Sequence, residues 1–364
     1  MRRITSRWLR AWMMLLAIAV AAPDAARGCS TFVLRKGNRL LFGRNFDFYT
    51  GSGAVMVNPR GLDKTALVFP GEKAASWTAR YGSVTFNQVG REFPMGGMNE
   101  AGLVVEMMWH DAADYPDRDE RPGMMELQWM QFLLDTCATV GDAAAAAGTV
   151  RIMPMGSRLH FHLLDRGGAE AVVEFIAGRS RFYMGEDLPV PALTNQAYAE
   201  CLAARSGFQG FGGAKALNAT INDPDRFVTL AAEVRRPGSE RDLLRRAFDI
   251  LEQVHCDIQE NPTQWRLVYD PRRLEIHVRT LRNPAWRRVR LGDFSFACAD
   301  GAKVLDLDAG RGDLGTSFAG YSQGFNEALI RRTFAEYRKA GFQETISDME
   351  LAFMAMYPAG LACR

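Results

Sequence analysis

The first 28 residues set Cys29 apart from the rest of the chain. Four arginines lie within the first ten positions, and an apolar run over residues 11–22 follows them. A basic start and a short apolar core are typical of a secretory signal peptide. Ala26 and Gly28 put small residues three positions and one position before Cys29, the pattern that signal peptidase recognises. We therefore predict a signal peptide over residues 1–28, export to the periplasm or out of the cell, and a mature chain that starts at Cys29.

Composition limits the kinds of protein that the mature chain can form. The chain has 364 residues, of which 48% are hydrophobic, and this suits one large globular domain or two smaller ones. Residues 1–28 hold five of the 44 basic and one of the 42 acidic residues, which leaves 39 and 41. Such a near-neutral chain gives no indication of nucleic acid as a partner. No stretch after residue 30 approaches the ~18–20 apolar residues of a membrane span, so no stable span is expected.

Apolar runs separated by turn residues predict the order of the elements. Strand patterns, the first two joined by a turn at 36–38, occupy residues 31–35, 39–46, 55–59, 66–70, 159–164, 171–176, 265–269 and 274–278. Helical patterns occupy residues 125–147, 241–255 and 326–340. The strands fall into hairpin-like groups and the helices into separate blocks, which indicates antiparallel sheets with helical layers.

A cysteine at the cleavage junction gains chemistry that an internal cysteine lacks. Its new α-amine has a pKa of about 7.7–8.0 and its thiol a pKa of about 8.5. Because both groups titrate near neutral pH, one residue can supply the nucleophile and the general base. The alternatives are an incidental cysteine, or the acylated cysteine of a lipoprotein. Arg27 and the distance of Cys29 from the apolar core disfavour the lipoprotein.

The segment after the first turn is expected beside this cysteine. If the hairpin turns about Gly37, Cys29 lies opposite Asn45. Arg44 could then stabilise a thiolate by its charge, and Asp47 could hold the α-ammonium. Residues three apart in a regular strand point to opposite faces. Both charged side chains can therefore face Cys29 only if the strand ends or bulges between them.

The N-terminal segment resembles a known family. Cys29-Ser30-Thr31, followed by Gly-Arg-Asn-Phe-Asp at residues 43–47, is similar to the start of the choloylglycine hydrolase family, which includes penicillin V acylases and bile salt hydrolases. The acid ceramidase group has a similar opening. Further segments match the family in the right order: residues 97–103 (Gly-Met-Asn-Glu-Ala-Gly-Leu), 193–195 (Leu-Thr-Asn), 225–227 (Asp-Arg-Phe) and 263–265 (Thr-Gln-Trp). Each motif alone is weak, but their order is specific, and the resemblance extends to about residue 310.

The resemblance implies an α+β fold, an αββα sandwich of two stacked antiparallel sheets between helical layers. This N-terminal-nucleophile (Ntn) hydrolase domain is expected over residues 29–312, and its last residues, 310–313, are predicted to form a linker. Residues 313–364 exceed the resemblance and are predicted to form a helical C-terminal extension. That extension is expected either to pack on the domain or to mediate assembly into a homo-oligomer.

The resemblance also implies roles for individual residues. Cys29 would be the nucleophile, and Arg44 and Asp47 would tune its thiol and amine. Asn195 would donate its side-chain amide to the oxyanion, a role worth about 10²–10³ in rate, and Arg226 would help to order the site. Without the motif order, Asn195 would be interpreted as an ordinary turn asparagine and Arg226 as a surface residue.

Trp109 marks a departure from the family pattern. Well-known members have Asn or Tyr at this position, where the backbone N–H is thought to complete the oxyanion hole. A backbone donor survives a change of side chain, but tryptophan adds a large apolar wall. Trp109 and Met108 are therefore predicted to bind substrate and, if they line the pocket, to favour a hydrophobic acyl group. The alternative is a buried tryptophan of the core.

No metal and no cofactor are expected. His160 and His162 would share one face of a strand, which could suit a metal, but the sequence offers no apparent third ligand. The six cysteines include no Cys-x-x-Cys pair, so a zinc ribbon or a redox motif is unsupported. In an oxidising compartment a pair such as Cys256–Cys298 could form a disulfide.

The sequence thus predicts an exported cysteine Ntn hydrolase that acts on a small-molecule N-acyl substrate. It would cleave a linear, non-peptide amide C–N bond through an acyl-enzyme on Cys29. Penicillin V, bile conjugates, acyl-homoserine lactones and other N-acyl amines are all open as substrates. Two other functions stay open: an acyltransferase that uses the same acyl-enzyme, and a non-catalytic lipoprotein or binding module.

Overall fold

The computed structural model describes residues 28–154, 156–218, 223–236, 238–341 and 347–364. The predicted signal peptide, apart from Gly28, lies outside the described residues. Within the described ranges, no helix is both long and apolar enough to cross a membrane.

Strands and helices fall into separate blocks along the described chain. The strands are β1 (Ser30–Lys36), β2 (Arg39–Asp47), β3 (Ala54–Asn58), β4 (Leu62–Thr65), β5 (Ser76–Thr78), β6 (Ser83–Asn87), β7 (Pro94–Asn99), β8 (Val104–Trp109), β9 (Gly123–Met124), β10 (Arg151–Ile152), β11 (Leu159–Leu164), β12 (Glu170–Ile176), β13 (Arg179–Met184), β14 (Ala192–Leu193), β15 (Thr263–Asp270), β16 (Glu275–Thr280), β17 (Arg287–Arg290), β18 (Lys303–Asp306), β19 (Gly312–Asp313), β20 (Ala319–Gly320) and β21 (Ala362–Cys363). The α-helices are α1 (Glu126–Thr136), α2 (Val140–Ala147), α3 (Tyr198–Arg205), α4 (Asp223–Glu233), α5 (Leu243–Gln253), α6 (Gln323–Lys339) and α7 (Asp348–Met356).

Two large sheets hold most of these strands. The first sheet has the order β14-β1-β2-β15-β16-β17-β19, and the second has the order β13-β12-β11-β8-β7-β6-β3-β18-β20. Neighbouring strands are antiparallel, except that β19 runs parallel to β17. Side chains of the two sheets meet between them, as where the rings of Phe42 and His162 lie 4.7 Å apart.

Helices cover the outer faces of both sheets. Helix α5 packs on β1, β2 and β15, and the Asn45 amide donates to the carbonyl of Leu251 at 2.7 Å. Its buried residues include Leu243, Ala247 and Ile250, which recur at the spacing of one helix face. Helix α1 packs on β7 and β8 of the second sheet. The predicted αββα sandwich is therefore confirmed.

The hairpin β1–β2 differs by one residue from its predicted register. Lys36 pairs with Arg39, so the turn has two residues rather than being centred on Gly37. Gly37 has a φ of +55°, a conformation that two-residue hairpin turns require. Ser30, not Cys29, consequently lies opposite Asn45.

Two other predicted elements are corrected. The predicted helix over residues 125–147 is divided into α1 and α2, because Thr139 and Asp142 form a capping box that starts a new helix. The predicted strand over residues 66–70 is absent from this described part of the chain, and β4 ends just before it. Within β4, buried and exposed residues alternate strictly, which suits its pairing with β5.

The C-terminal segment packs on the sandwich. Strand β19 pairs with β17, so part of the predicted linker adds an edge strand to the first sheet. On α6, the Thr333 hydroxyl donates to the Gln88 carbonyl at 2.9 Å, and the Tyr337 hydroxyl donates to the Gln88 side chain at 2.8 Å. The boundary at residue 312 and the assembly into an oligomer stay predictions.

A disulfide ties the C-terminus to the body of the protein. Cys298 is bonded to Cys363, at a separation of 65 residues, so the suggested Cys256–Cys298 pair is wrong. The pairing of β21 with β4 brings Cys363 beside this part of the fold, a contact that no local sequence pattern reveals. The described free cysteines are Cys29, Cys137, Cys201 and Cys256.

We expect this disulfide to stabilise the fold. Closing a loop of this length is worth about 4 kcal/mol in the chain-entropy model, and measured effects are typically about 2–4 kcal/mol. The double variant Cys298→Ser/Cys363→Ser should lose that much free energy of unfolding in urea titrations. Reductant should lower the stability of the wild type and leave the variant unchanged. Equal stability of the oxidised wild type and the variant would contradict the expectation.

Candidate active site

Cys29 immediately precedes β1, beside the end of β2. Its side chain is 5% exposed, and its Sγ lies 3.6 Å from the backbone oxygen of Asp47, to which it donates. Burial raises the pKa of the Cys29 thiol, while Arg44 opposes that rise and Asp47 adds to it. The thiol is therefore held in its neutral form unless a nearby group accepts its proton.

The end of β2 explains how Arg44 and Asp47, three residues apart, can both face Cys29. Strand β2 ends at Asp47, and the register of β15 against β2 shifts between Thr263 and Trp265. Arg44, three residues earlier, points between the sheets. Because regular pairing is interrupted at Asp47, both charged side chains act on Cys29. This is the strand end or bulge that the sequence required.

Only one of the two carboxylate oxygens of Asp47 has a hydrogen-bond partner among the described residues. Thr263 donates to its Oδ1 at 2.5 Å, whereas Oδ2 has no hydrogen-bond partner among the described residues. Burial raises the pKa of Asp47 to about 6, and the Arg226 guanidinium, 3.7 Å from Oδ2, opposes the rise. A Cβ atom added to Gly28 would lie 2.5 Å from Oδ2. The free oxygen thus lies beside the residue that precedes Cys29, where the α-amine would form.

Arg226, on helix α4, also lies close to the start of Cys29. Its side chain is buried, and its Nη1 donates to the backbone oxygen of Cys29 at 3.4 Å. Its other end forms an ion pair with Asp223, one turn earlier on the helix. Arg226 is thus a buried contact of the Cys29 backbone and not a surface residue.

Arg44 brings a fully buried cation to the thiol. Its Nε lies 3.2 Å from the Glu106 carboxylate on β8, and its guanidinium lies 5.3 Å from the ring centre of Phe46. Neither Nη1 nor Nη2 has a hydrogen-bond partner within the described part of the chain. These donors are therefore available to a thiolate or to a bound substrate.

Glu106 balances the charge of Arg44 from the second sheet. The Tyr269 hydroxyl donates to its carboxylate. Gly96 lies opposite Glu106 in the sheet, and a side chain there would overlap the carboxylate. Burial raises the pKa of Glu106 to about 7, although Arg44 and Tyr269 both oppose the rise. Tyr269 and the space left by Gly96 therefore hold the Glu106 carboxylate in the position that fixes Arg44.

Asn195 follows the edge strand β14. The pairing of Leu193 with Thr31, extended by two residues, places Asn195 opposite Cys29. Its Nδ2 donates to the Trp109 carbonyl at 2.9 Å. Because an amide nitrogen carries two N–H groups, a second donor is left for an oxyanion.

The structure separates the two residues predicted to bind substrate. Met108 is fully buried between the sheets, where its sulfur accepts from the Thr31 hydroxyl at 3.7 Å. Trp109 is partly exposed at the end of β8, and its indole N–H donates to Asp111 at 2.6 Å. Of the two side chains, only Trp109 is partly exposed, and its backbone contacts Asn195.

Three buried side chains near Asn195 have metal-ligand chemistry. Ligand atoms of His110, His160 and Glu174 lie within 4.8 Å of one another. However, the two imidazole rings stack nearly parallel, at an interplanar angle of 6° and a centroid distance of 4.5 Å. A ring nitrogen binds a metal in the plane of its own ring, and two stacked parallel planes share no such point. His162, the other predicted histidine, instead contacts Thr31 and Glu170 at 2.7 Å each.

Residues 29–223 match the model of the linear amide C–N hydrolases, choloylglycine hydrolase family. The chain belongs to this family. The resemblance carried by the sequence motifs is therefore confirmed, and the protein is an enzyme of the linear amide hydrolase type.

Relatives of known structure or activity agree with the family assignment. A penicillin V acylase from Pectobacterium atrosepticum is 26% identical over 278 residues, which cover 65% of this chain and 73% of that protein. The structure of penicillin V acylase from Agrobacterium tumefaciens matches with a TM-score of 0.71 at 25% identity and covers 81% of this chain and 98% of its own. A mutant of the conjugated bile acid hydrolase from Clostridium perfringens shares the fold at 17% identity with a TM-score of 0.63, over 78% of this chain and 98% of its own.

Sequence reasoning missed several residues that support the family's site. Thr263 is part of a matched motif but carries no predicted role. Glu106 interrupts a run of apolar residues in β8, and a lone carboxylate in such a strand is a signal of a buried charge. Tyr269 and His110 give no comparable signal, because their contacts depend on the stacking of the sheets.

We expect the Glu106 carboxylate to make stability depend on pH. Its folded-state pKa of about 7 exceeds the ordinary 4.5, so the folded state holds an extra proton between these values, and stability falls as pH rises through that window. Glu106→Gln should therefore gain about 2–3 kcal/mol relative to the wild type between pH 5 and pH 8, as urea unfolding can measure. Tyr269→Phe keeps the carboxylate and removes a hydrogen bond that lowers its pKa, so its stability should fall with pH at least as steeply as that of the wild type. Parallel profiles for Glu106→Gln and the wild type would contradict this assignment.

Proposed function

We propose that this protein is an exported cysteine Ntn hydrolase that cleaves a linear, non-peptide amide through an acyl-enzyme on Cys29. The observation that supports this proposal is that buried polar atoms without hydrogen bonds converge on Cys29. Among the described residues, Asp47 offers an oxygen without a hydrogen-bond donor beside the start of Cys29, and Arg44 offers two nitrogens without a hydrogen-bond acceptor near its thiol. A lone structural cysteine needs neither of these buried groups, whereas an N-terminal nucleophile uses both.

The first half of the reaction forms the acyl-enzyme. The α-amine of Cys29 takes the thiol proton, and Asp47 holds the resulting ammonium. The thiolate then forms an S–C bond with the acyl carbon, and the carbonyl oxygen becomes an oxyanion. Asn195 and the backbone N–H of Trp109 stabilise that charge. As the C–N bond breaks, the leaving amine takes the proton back from the ammonium.

The second half of the reaction releases the acid. Water loses a proton to the α-amine and attacks the thioester carbon, which forms a second oxyanion in the same place. The S–C bond then breaks, the acid is released, and the thiolate takes the proton back from the α-ammonium. Arg44 stabilises the thiolate in both halves, since it is charged throughout and its charge favours the ionised thiol.

The proposed substrate is an N-acyl amide with an apolar acyl group. The indole of Trp109 offers a flat apolar surface beside Asn195. The two relatives named as penicillin V acylases support an N-acyl amide as the substrate class. Penicillin V is therefore a suitable first probe, and a glycine-conjugated bile acid is a suitable second one.

We expect the protein recovered from its native compartment to begin with an unmodified Cys29. Residues 1–28 carry the features of a cleavable leader, and the proposed base exists only after their removal. Intact mass and N-terminal sequencing test this directly. A chain that begins elsewhere, or that carries lipid on Cys29, would contradict the mechanism and favour an anchored or binding role.

Replacement of Cys29 should abolish turnover without loss of the fold. Cys29→Ala removes the nucleophile, so hydrolysis of the probe amides should fall to the uncatalysed rate and no acyl adduct should appear in the mass spectrum. Cys29→Ser should be slow, because a hydroxyl is a poorer nucleophile at neutral pH. Cys137→Ser is the matched control, since Cys137 is also buried and free but lies at the end of α1.

Retained hydrolysis in folded Cys29→Ala would overturn the proposal. Unchanged ligand binding in that variant, together with an inactive wild type, would favour the binding module. Product analysis with an added amine acceptor separates hydrolysis from acyl transfer. Hydrolysis predicts the free acid as the main product, whereas a transferase would form the new amide.

A further inference from the structure

A buried cluster of two histidines and one glutamate lies directly behind Asn195. Glu174 and His160 are fully buried, and His110 is 3% exposed. The imidazole rings of His110 and His160 stack face to face, and the Nδ1 atom of His160 lies 3.4 Å from the Glu174 carboxylate. The stacked geometry does not fit a shared metal ion, so the cluster requires another explanation.

The cluster holds the backbone of the segment that carries Asn195. The Nδ1 atom of His110 lies 3.2 Å from the Asn195 carbonyl oxygen. Because a carbonyl only accepts hydrogen bonds, this nitrogen must carry the proton. Three residues later, the backbone N–H of Tyr198 donates to the Glu174 carboxylate at 2.7 Å. The segment is therefore held at two points by the second sheet.

Asn195 forms one hydrogen bond with Trp109 and another with His110, the next residue along the chain. The Asn195 side chain donates to the Trp109 carbonyl at 2.9 Å, while the next residue, His110, donates to the Asn195 carbonyl. The backbone N–H of His110 also donates to the carbonyl of Arg158 at 2.8 Å, which anchors the end of β8. Two short segments from different sheets are thus locked together at the residues that would supply the oxyanion donors.

We propose that His110 is a positioning residue that, backed by His160 and Glu174, fixes the side-chain amide of Asn195 for the oxyanion. The inference rests on the proposed function. An oxyanion donor works only when it is held within about 0.5 Å of its productive position, and a residue in a loop after a two-residue strand has little support of its own. The backbone bond from His110 supplies that support.

The charge state of His160 agrees with this role. Burial lowers the pKa of His160 to about 4, while the hydrogen bond with Glu174 opposes the fall. At neutral pH, His160 is therefore an uncharged ring on which His110 can stack.

The test compares two reactions of the Cys29 thiol in the mature, full-length protein. Acylation by p-nitrophenyl acetate forms an S–C bond and breaks the ester C–O bond. The thiol proton passes to the α-amine, and p-nitrophenolate leaves with the electron pair. This reaction passes through an oxyanion and needs Asn195. Alkylation by iodoacetamide passes through no oxyanion, so it reports only on the nucleophile.

We expect His110→Phe, which keeps a flat ring but lacks the N–H, to slow acylation about 10-fold and to change alkylation less than about twofold. His110→Asn can place an N–H near the position of Nδ1 and should restore most of the acylation rate. Asn195→Ala should slow acylation by about 10²-fold. In the Asn195→Ala background, His110→Phe should cause no further loss, since the group that it positions is gone.

Three results would overturn the inference. Losses that multiply in the double variant would show that His110 acts independently of Asn195. Equal slowing of both reactions would show general damage to the site. If His110→Phe does not fold, His110→Gln, which displaces the donor, should show the same selective loss. Wild-type acylation rates in Cys29→Ala would instead overturn the proposed function, and the positioning role with it.

Discussion

The antiparallel pairing of β1 with β2 is the constraint on which the site depends. A two-residue turn at residues 37–38 fixes this register over seven residue pairs. The start of β1 is thereby placed beside the end of β2, which joins Cys29 to Asp47 and sets Arg44 opposite Thr31. A shift of one residue would turn every side chain of one strand to the other face. Cys29, Arg44 and Asp47 would then no longer meet.

The site brings four buried charged side chains close to one another. Arg44, Asp47, Glu106 and Arg226 are all at most 1% exposed, and their charges cancel in pairs. Buried ion pairs contribute little net stability, because desolvation of both partners offsets their attraction. Their retention here is better explained by function. The raised pKa values of Asp47 and Glu106 are the thermodynamic counterpart of that desolvation.

Local sequence predicts the parts of the site that are close in the chain. Cys29 and the charged residues of β2 lie between residues 29 and 47, and a hairpin alone brings them together. Asn195 and Arg226 are placed only by the order of family motifs, because nothing local distinguishes them from turn and surface residues. The roles of Glu106 and His110, like the disulfide partner of Cys298, depend on contacts between distant segments. Such contacts are set by long-range packing that the periodicity of apolar residues does not encode.

The two sheets supply different parts of the proposed chemistry. Arg44 belongs to the first sheet and Cys29 immediately precedes its strand β1, whereas Trp109 and Glu106 belong to the second. Asn195 follows an edge strand of the first sheet but is held by residues of the second. A slide of one sheet over the other would thus leave the nucleophile intact and displace the oxyanion donor. The contacts across the sandwich, from Arg44 to Glu106 and from Asn195 to Trp109, oppose that slide. The contacts that join the two layers therefore also set the distance between Cys29 and Asn195.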